Sequence, residues 1–148
     1  MRKVVLLLFL IGLFCLVGCG EKKEIKFDDC QQFLVGEFTF YIPENLEYDD
    51  YVSDNTIRVF RNEEALCYIG ILESKPEETE EDAKTEKTTI NGYDVTKHSY
   101  SKETKGMIIQ HRDAYITIDD NLYYVTASWK DGDYQPEFDA ILRYSLED

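Results

Sequence analysis

Histidine, proline and tryptophan are scarce in this 148-residue chain, at two, three and one. Its two histidines and four cysteines share no ligand spacing, which leaves no recognisable zinc motif. No phosphate-cradling glycine motif and no dinucleotide fingerprint occur. The acidic pairs Asp28-Asp29, Asp49-Asp50, Glu63-Glu64 and Asp119-Asp120 read as solvated surface. A divalent-cation site is the sharper alternative, but no EF-hand spacing is present, and Asp131-Gly132-Asp133 reads better as a turn. Positive charge is also short: 16 Lys and Arg stand against 30 Asp and Glu, a net charge of −14. Such a balance argues against nucleic-acid binding, which relies on a basic face. Nothing in the sequence calls for a cofactor or a metal.

A membrane-length apolar run is missing too. Arg2 and Lys3 precede Val4 to Val17, which is apolar except for Gly12. That falls short of the roughly 20 residues of a span and fits the core of a signal peptide. A retained transmembrane anchor is the alternative that this length disfavours. The run closes on Leu16-Val17-Gly18-Cys19, which resembles the lipobox of bacterial lipoprotein precursors. The resemblance implies that residues 1–18 are removed and that Cys19 becomes the lipidated first residue. It places the protein on the extracytoplasmic face of the cell membrane, with the membrane itself as a partner through Cys19. Two acyl chains, at roughly 0.8 kcal/mol per buried methylene, hold such an anchor stably. Cleavage would remove Arg2 and Lys3 but no acid, leaving the chain more acidic still.

The expected organisation is a signal peptide (1–18), a lipidated cysteine with a short tether (19–27), and one globular domain (28–148). Residues 20–26 reach at most about 25 Å when extended, so the domain sits close to the bilayer. Lys22, Lys23 and Lys26 either rest against anionic headgroups or belong to a plain spacer. The remaining length suits one domain with one core. Cys30 and Cys67 are the two cysteines left in it. Outside the cytoplasm they form either a disulfide, worth on the order of 3–4 kcal/mol in the chain-entropy model, or two separate buried thiols.

Alternation over Phe38, Phe40 and Ile42 predicts a half-buried strand that Pro43 ends. Thr56 to Arg61 is a second strand, with Ile57 and Val59 on one face. Ala65 to Leu72 is nearly all apolar and reads as a central strand buried on both faces. Asn62-Glu63-Glu64 joins these two as a hairpin turn. Residues 77–87 are polar all round and read as a loop with at most one helical turn. Asn91-Gly92 predicts a type I′ hairpin. Further turns are expected over Lys102 to Gly106 and at Asp119-Asp120-Asn121, around a long strand from Met107 to Ile118. Leu122 to Trp129 follows, with Tyr123, Val125, Ala127 and Trp129 on one face. Pro136 fits the first position of a helix whose Phe138, Ile141, Leu142 and Leu146 make an apolar stripe. Residues 28–35 fit either a short helix or a strand. These elements predict an α+β domain, an antiparallel sheet of about six strands with the C-terminal helix on one face.

The Phe-Thr-Phe-Tyr-Ile-Pro-Glu-Asn segment at 38–45, the following meander, Leu122 to Thr126 and the Phe-Asp-Ala-Ile-Leu helix at 138–142 together look like small bacterial lipoproteins of the PsbP-like fold. The resemblance spans roughly residues 36–146. It implies an antiparallel sheet flanked by helices and non-enzymatic work, such as binding or assembling partner proteins. The polar segment near 76–87 departs from it by offering no middle helix.

The residues give little sign of catalysis. His98 and His111 lie in strand candidates. His111, Asp113 and Ser99 are the one imaginable triad, and no nucleophile-elbow pattern accompanies them. Tyr41, Tyr48, Tyr51, Tyr93, Tyr100, Tyr124 and Tyr134 exceed what one core absorbs. They suit either glycan or peptide recognition beside the carboxylates or ordinary half-wet strand surface. The sequence therefore predicts a membrane-anchored, non-enzymatic module that binds an envelope protein. A surface binder of a small ligand (glycan, peptide or cation) is the alternative.

Overall fold

A computed structural model describes residues 23–51, 56–77, 80 and 82–147. The expected signal peptide (1–18) and Cys19 lie outside the described residues. Among those described, nine strands form two antiparallel sheets, and one α-helix closes the chain.

A 3-10 turn at Phe27–Asp29 leads into the hairpin β1 (Cys30–Val35) and β2 (Phe38–Pro43), which settles residues 30–35 as a strand. Gly36 makes their turn with a positive φ of 60°, and a Cβ there would sit 2.6 Å from Ile71 Cδ1. The turn thus packs closely on the Ile71 side chain of the large sheet, in a left-handed conformation that glycine adopts most readily.

The large sheet contains β3 (Glu47–Tyr48), β4 (Ile57–Arg61), β5 (Ala65–Leu72), β6 (Lys84–Ile90), β7 (Tyr93–Thr104), β8 (Met107–Ile118) and β9 (Asn121–Trp129), in the spatial order β3-β4-β5-β9-β8-β7-β6. Strand β6 is unexpected in its first half, Lys84 to Lys87, where the sequence suggests a polar loop. It is an edge strand, so charged side chains are tolerated on it and discourage further pairing. The strand total also exceeds the expected six, chiefly because β1 pairs with the expected β2 in a sheet of its own and β3 adds a short edge. The expected turn at 62–64 joins β4 to β5. The meander β6–β9 turns through Asn91-Gly92, Lys105-Gly106 and Asp119-Asp120, each pair having φ between 48° and 84°. Two left-handed residues match the right-handed twist of the flanking strands.

Helix α1 (Gln135–Leu146) lies on one face of the sheet with Pro136 in its first turn. Its Phe138, Ile141, Leu142 and Leu146 are buried as their spacing predicts. They meet Cys67 and Ile69 of β5, Tyr123, Val125, Ala127 and Trp129 of β9, and Ala114 and Ile116 of β8 in a single core. The β1–β2 hairpin completes this layer with Val35, Phe40 and Ile42, and the Tyr41 amide donates to Ser145 Oγ at 3.0 Å. Helix and hairpin thus cover one face of the sheet together, an α+β architecture.

The segment leading into the domain is packed as well. Lys23 donates to buried Glu137 Oε1, the Tyr144 hydroxyl donates to the Ile25 carbonyl at 2.7 Å, and Phe27 lies against Tyr41 and Tyr144. Cys30 and Cys67 are unbonded: Cys30 opens β1 of the small sheet, while Cys67 is buried in β5 of the large one. The structure thus carries two separate thiols, Cys67 buried and Cys30 half-buried.

Candidate functional site: the open face of the sheet

Helix and hairpin occupy one side of the large sheet, and the candidate site lies on the other. Cross-strand register defines what stands on it. Tyr68 pairs with Val59 and Thr126, Tyr124 with Gly70 and Tyr115, and Asp113 with Thr126 and His98. Paired residues share a face, so these all project away from α1. Strand β5 is therefore not buried on both sides as its apolar run suggests. Its Ala65, Cys67 and Ile69 enter the core, whereas Leu66 and Tyr68 face outward, with Tyr68 37% exposed. Ile57 and Val59 share a face as expected, but it is this outer one, and Phe60 is the β4 residue in the core.

Ile57, Val59, Arg61, Leu66, Tyr68, Tyr124 and Thr126, with Asp49 at the rim, line a groove of about 610 Å³. Its floor is aliphatic and aromatic. The rim charges are matched, since Arg61 reaches Asp49 at 2.7 Å. Gly70 keeps the floor low: a Cβ there would come within 2.9 Å of the Thr56 carbonyl oxygen and of the Tyr124 hydroxyl. The volume lies within the range of pockets that hold small ligands or a few side chains.

Beside the groove stands a titratable cluster. To join β5 to the far edge strand β6, the chain must pass β9, β8 and β7. It does so over the outer face, with Lys75 Nζ 5.5 Å from the centroid of Tyr115 and Glu80 paired to Lys102 at 3.3 Å. Beneath this crossing His98 stands opposite Asp113, and Tyr100 stacks on His111 with centroids 4.8 Å apart and planes 11° apart. The two histidines are thus diagonal neighbours on adjacent strands, a proximity invisible in their sequence spacing. His98 is 5% exposed. Its Nδ1 shares a hydrogen bond with Thr85 Oγ1 at 2.9 Å, and its Nε2 has no partner among the described residues.

Burial, and then the Lys75 charge, lower the His98 pKa. Burial likewise lowers that of His111, aided by Lys102 and Arg112 and opposed by Glu80. Burial pushes the Asp113 carboxyl up to about 6. Tyr100 and Tyr115 are raised by burial and then by the Asp113 charge. The cluster therefore favours neutral forms throughout, as expected for polar groups held away from water.

Of the imagined triad, His111 and Asp113 share this face. Ser99 pairs with Arg112 and projects from the opposite face, so the three do not assemble. No group of three or more His, Cys, Asp or Glu among the described residues is arranged to hold a metal ion. The thiols are inert as nucleophiles: burial pushes Cys67 up to about 12, and burial with the Asp29 and Glu44 charges pushes Cys30 up to about 11. Tyr51 is 95% exposed, whereas Tyr48, Tyr93 and Tyr134 pack against the core, so the tyrosine surplus is divided between both settings. Tyr68, a groove residue, escapes sequence reading because it lies inside an apolar run. The signal for it is a hydroxyl-bearing ring at an alternate position of that run.

No protein-family model matches the chain, and no curated protein matches it. Among solved structures, a Pseudomonas aeruginosa protein of unknown function is similar at 15% identity and a TM-score of 0.45. The match covers 80% of this chain and 94% of that one. Among the described residues no helix is long and apolar enough to cross a membrane.

Proposed function

We propose that the protein is a lipid-anchored extracytoplasmic module whose open sheet face takes up a segment of an envelope protein, without catalysis. The observation that carries this reading is the groove on the outer face of the sheet, whose lining includes Leu66 and Tyr68, with Tyr68 37% exposed. The whole-chain charge of −14 favours a partner segment that is apolar with basic flanks. The lipobox-like Leu16-Val17-Gly18-Cys19 supports the anchor, and the packing of Lys23, Ile25 and Phe27 on the domain brings the folded part to within four residues of Cys19. The PsbP-like reading of the fold belongs to the same proposal. It is supported by the strand at 38–43, the meander and the terminal helix, while the separate β1–β2 sheet is a feature outside that pattern.

A photo-crosslinking residue at position 68, on intact cells, tests the binding reading. It is expected to capture one protein reproducibly, and Leu66→Asp should abolish the capture. Equal capture from position 89, on edge strand β6, would argue against a specific groove. The groove volume also suits part of the second reading, a small glycan or peptide. Thermal shifts on addition of calcium and of a glycan panel, absent in Leu66→Asp, would favour it. Mass analysis of membrane-extracted protein tests the anchor. A diacylglyceryl-modified Cys19 at the N-terminus is expected, and a free Met1 would overturn it.

A further inference from the structure

The β7–β8 hairpin outruns its neighbours. Pairing of β8 with β9 stops at Gln110 and Trp129, and pairing of β6 with β7 stops at Lys84 and Ser99. The two strands continue alone through Lys102–Ile109, Glu103–Ile108 and Thr104–Met107 before turning at Lys105-Gly106. At about 3.3 Å per residue this ribbon projects roughly 10 Å beyond the sheet, plus its turn. Its tip carries two bare apolar side chains: Ile108 is 61% exposed and Met107 46%. Met107 and Ile108 project from opposite sides of the ribbon, so neither face of the tip is purely polar. An unsupported ribbon gains nothing in the fold from two such residues.

The leading segment arrives at the same end of the molecule. Lys23 binds Glu137 in the first turn of α1 and lies 5.4 Å from the ring centroid of Tyr134. Tyr134 packs against Trp129 at 6.2 Å, and Trp129 is the last residue of β9, in the row where the ribbon begins its overhang. Cys19 precedes Lys23 by four residues, a reach of at most about 14 Å. The overhang and the reach from Lys23 to Cys19 are therefore of comparable length, and Lys23 is joined through Tyr134 to the row where the overhang begins.

We propose that the tip of the β7–β8 ribbon, Met107 and Ile108, rests in the interface of the lipid bilayer and fixes the orientation of the anchored domain. The proposal depends on lipidation of Cys19. Its surface is a neutral, zwitterionic bilayer: the ribbon carries Glu103 beside Lys102 and Lys105, Lys102 is already paired with Glu80, and the chain as a whole is acidic. Two apolar side chains add little affinity to an acyl anchor. What they add is a second point of contact, which restricts rocking about the tether.

The test uses the full lipidated chain in phosphatidylcholine liposomes, with Ile108→Cys labelled by an environment-sensitive fluorophore and Thr89→Cys as the remote control. Flotation reads the anchor, and emission with lipid-borne quenchers reads the tip. Flotation together with a blue shift and several-fold quenching at position 108, but not at 89, is the expected result. Flotation with position 108 still aqueous overturns the ribbon contact and leaves the anchor intact. Failure to float overturns the anchor and this proposal with it. A blue shift that grows with protein concentration without lipid assigns the tip to a second copy of the chain and also overturns it.

Discussion

Lys23 donates to Glu137, a carboxylate only 1% exposed at the start of α1, so a residue from the chain's leading segment neutralises a charge in the body of the domain. Asn45 donates to the same oxygen at 2.8 Å, while Glu137 Oε2 has no partner among the described residues. The positive end of the helix macrodipole adds to the support. Removing the ammonium leaves a buried carboxylate under-compensated. Lys23→Ala should cost about 1–2 kcal/mol, a value below that of a fully buried pair because half of the lysine is solvated. Limited proteolysis should then cut within residues 23–27, which the parent resists. An unchanged melting temperature and cleavage pattern would show that the clamp contributes nothing.

Asp113 gives a pH prediction. Its folded pKa, about 6, is raised by burial above the unfolded value near 3.8. The folded state therefore holds its proton more tightly, and stability from this group falls as pH rises from about 4 through about 6. Asp113→Asn should raise the melting temperature at pH 7.5, and the gain should shrink to nothing near pH 4. His98 and His111, with lowered values, act in the opposite sense, losing stability as pH falls below about 6.5. The variant should thus lose stability on acidification more steeply than the parent. Parallel curves would contradict the assignment.

Cys30 and Cys67 should both titrate as free thiols when the non-reduced protein is unfolded. Reductant should leave the melting temperature unchanged. In the folded state neither should react readily with a thiol reagent at neutral pH, because burial holds both protonated. A single mixed population lacking two thiols would restore the bridge.

The turn at Asp119-Asp120 offers a stabilising change. Both residues have positive φ, 48° and 68°, where the equivalent turn at 91–92 has glycine second. An L-residue in this region carries a penalty of roughly 1–2 kcal/mol, which aspartate partly offsets by local hydrogen bonding. Asp120→Gly should therefore stabilise by up to about 1 kcal/mol in denaturant titration. A loss instead would mean that the aspartate makes a compensating interaction.

Period and turn chemistry were readable along most of the chain. The stripe of α1, the alternation of β9 and the Asn91-Gly92 turn follow from local rules, and the structure carries each of them. Sidedness was not readable for β5, because Leu66 and Tyr68 look like core until one knows that α1 and the β1–β2 hairpin occupy only one face. Strand β6 was hidden for the converse reason: an edge strand needs few apolar residues, so Lys84 to Lys87 looked like loop. The His98–His111 neighbourhood is set by the register of β7 against β8, and register across a hairpin depends on where its turn falls. The sequence brackets that turn only as Lys102 to Gly106, and a shift of one residue would separate the two rings.

Strand β9 lies between β5 and β8, and the pairing has a kinetic consequence. The β4–β5 hairpin and the β6–β7–β8 meander each close through short turns, whereas β9 joins β5 across some 50 to 64 residues. Pairings of such sequence separation form slowly, since loop closure comes before any contact rewards it. A growing chain that has not yet reached Trp129 holds two half-sheets, each ending in an unpaired apolar edge, β5 on one and β8 on the other. Both edges are open to wrong partners until one strand fills the gap. The titratable cluster lies on the β8 side of that gap and the groove spans β5 and β9 itself, so neither half-sheet carries the complete outer face, and that face comes into being in the same late step that seals the sheet.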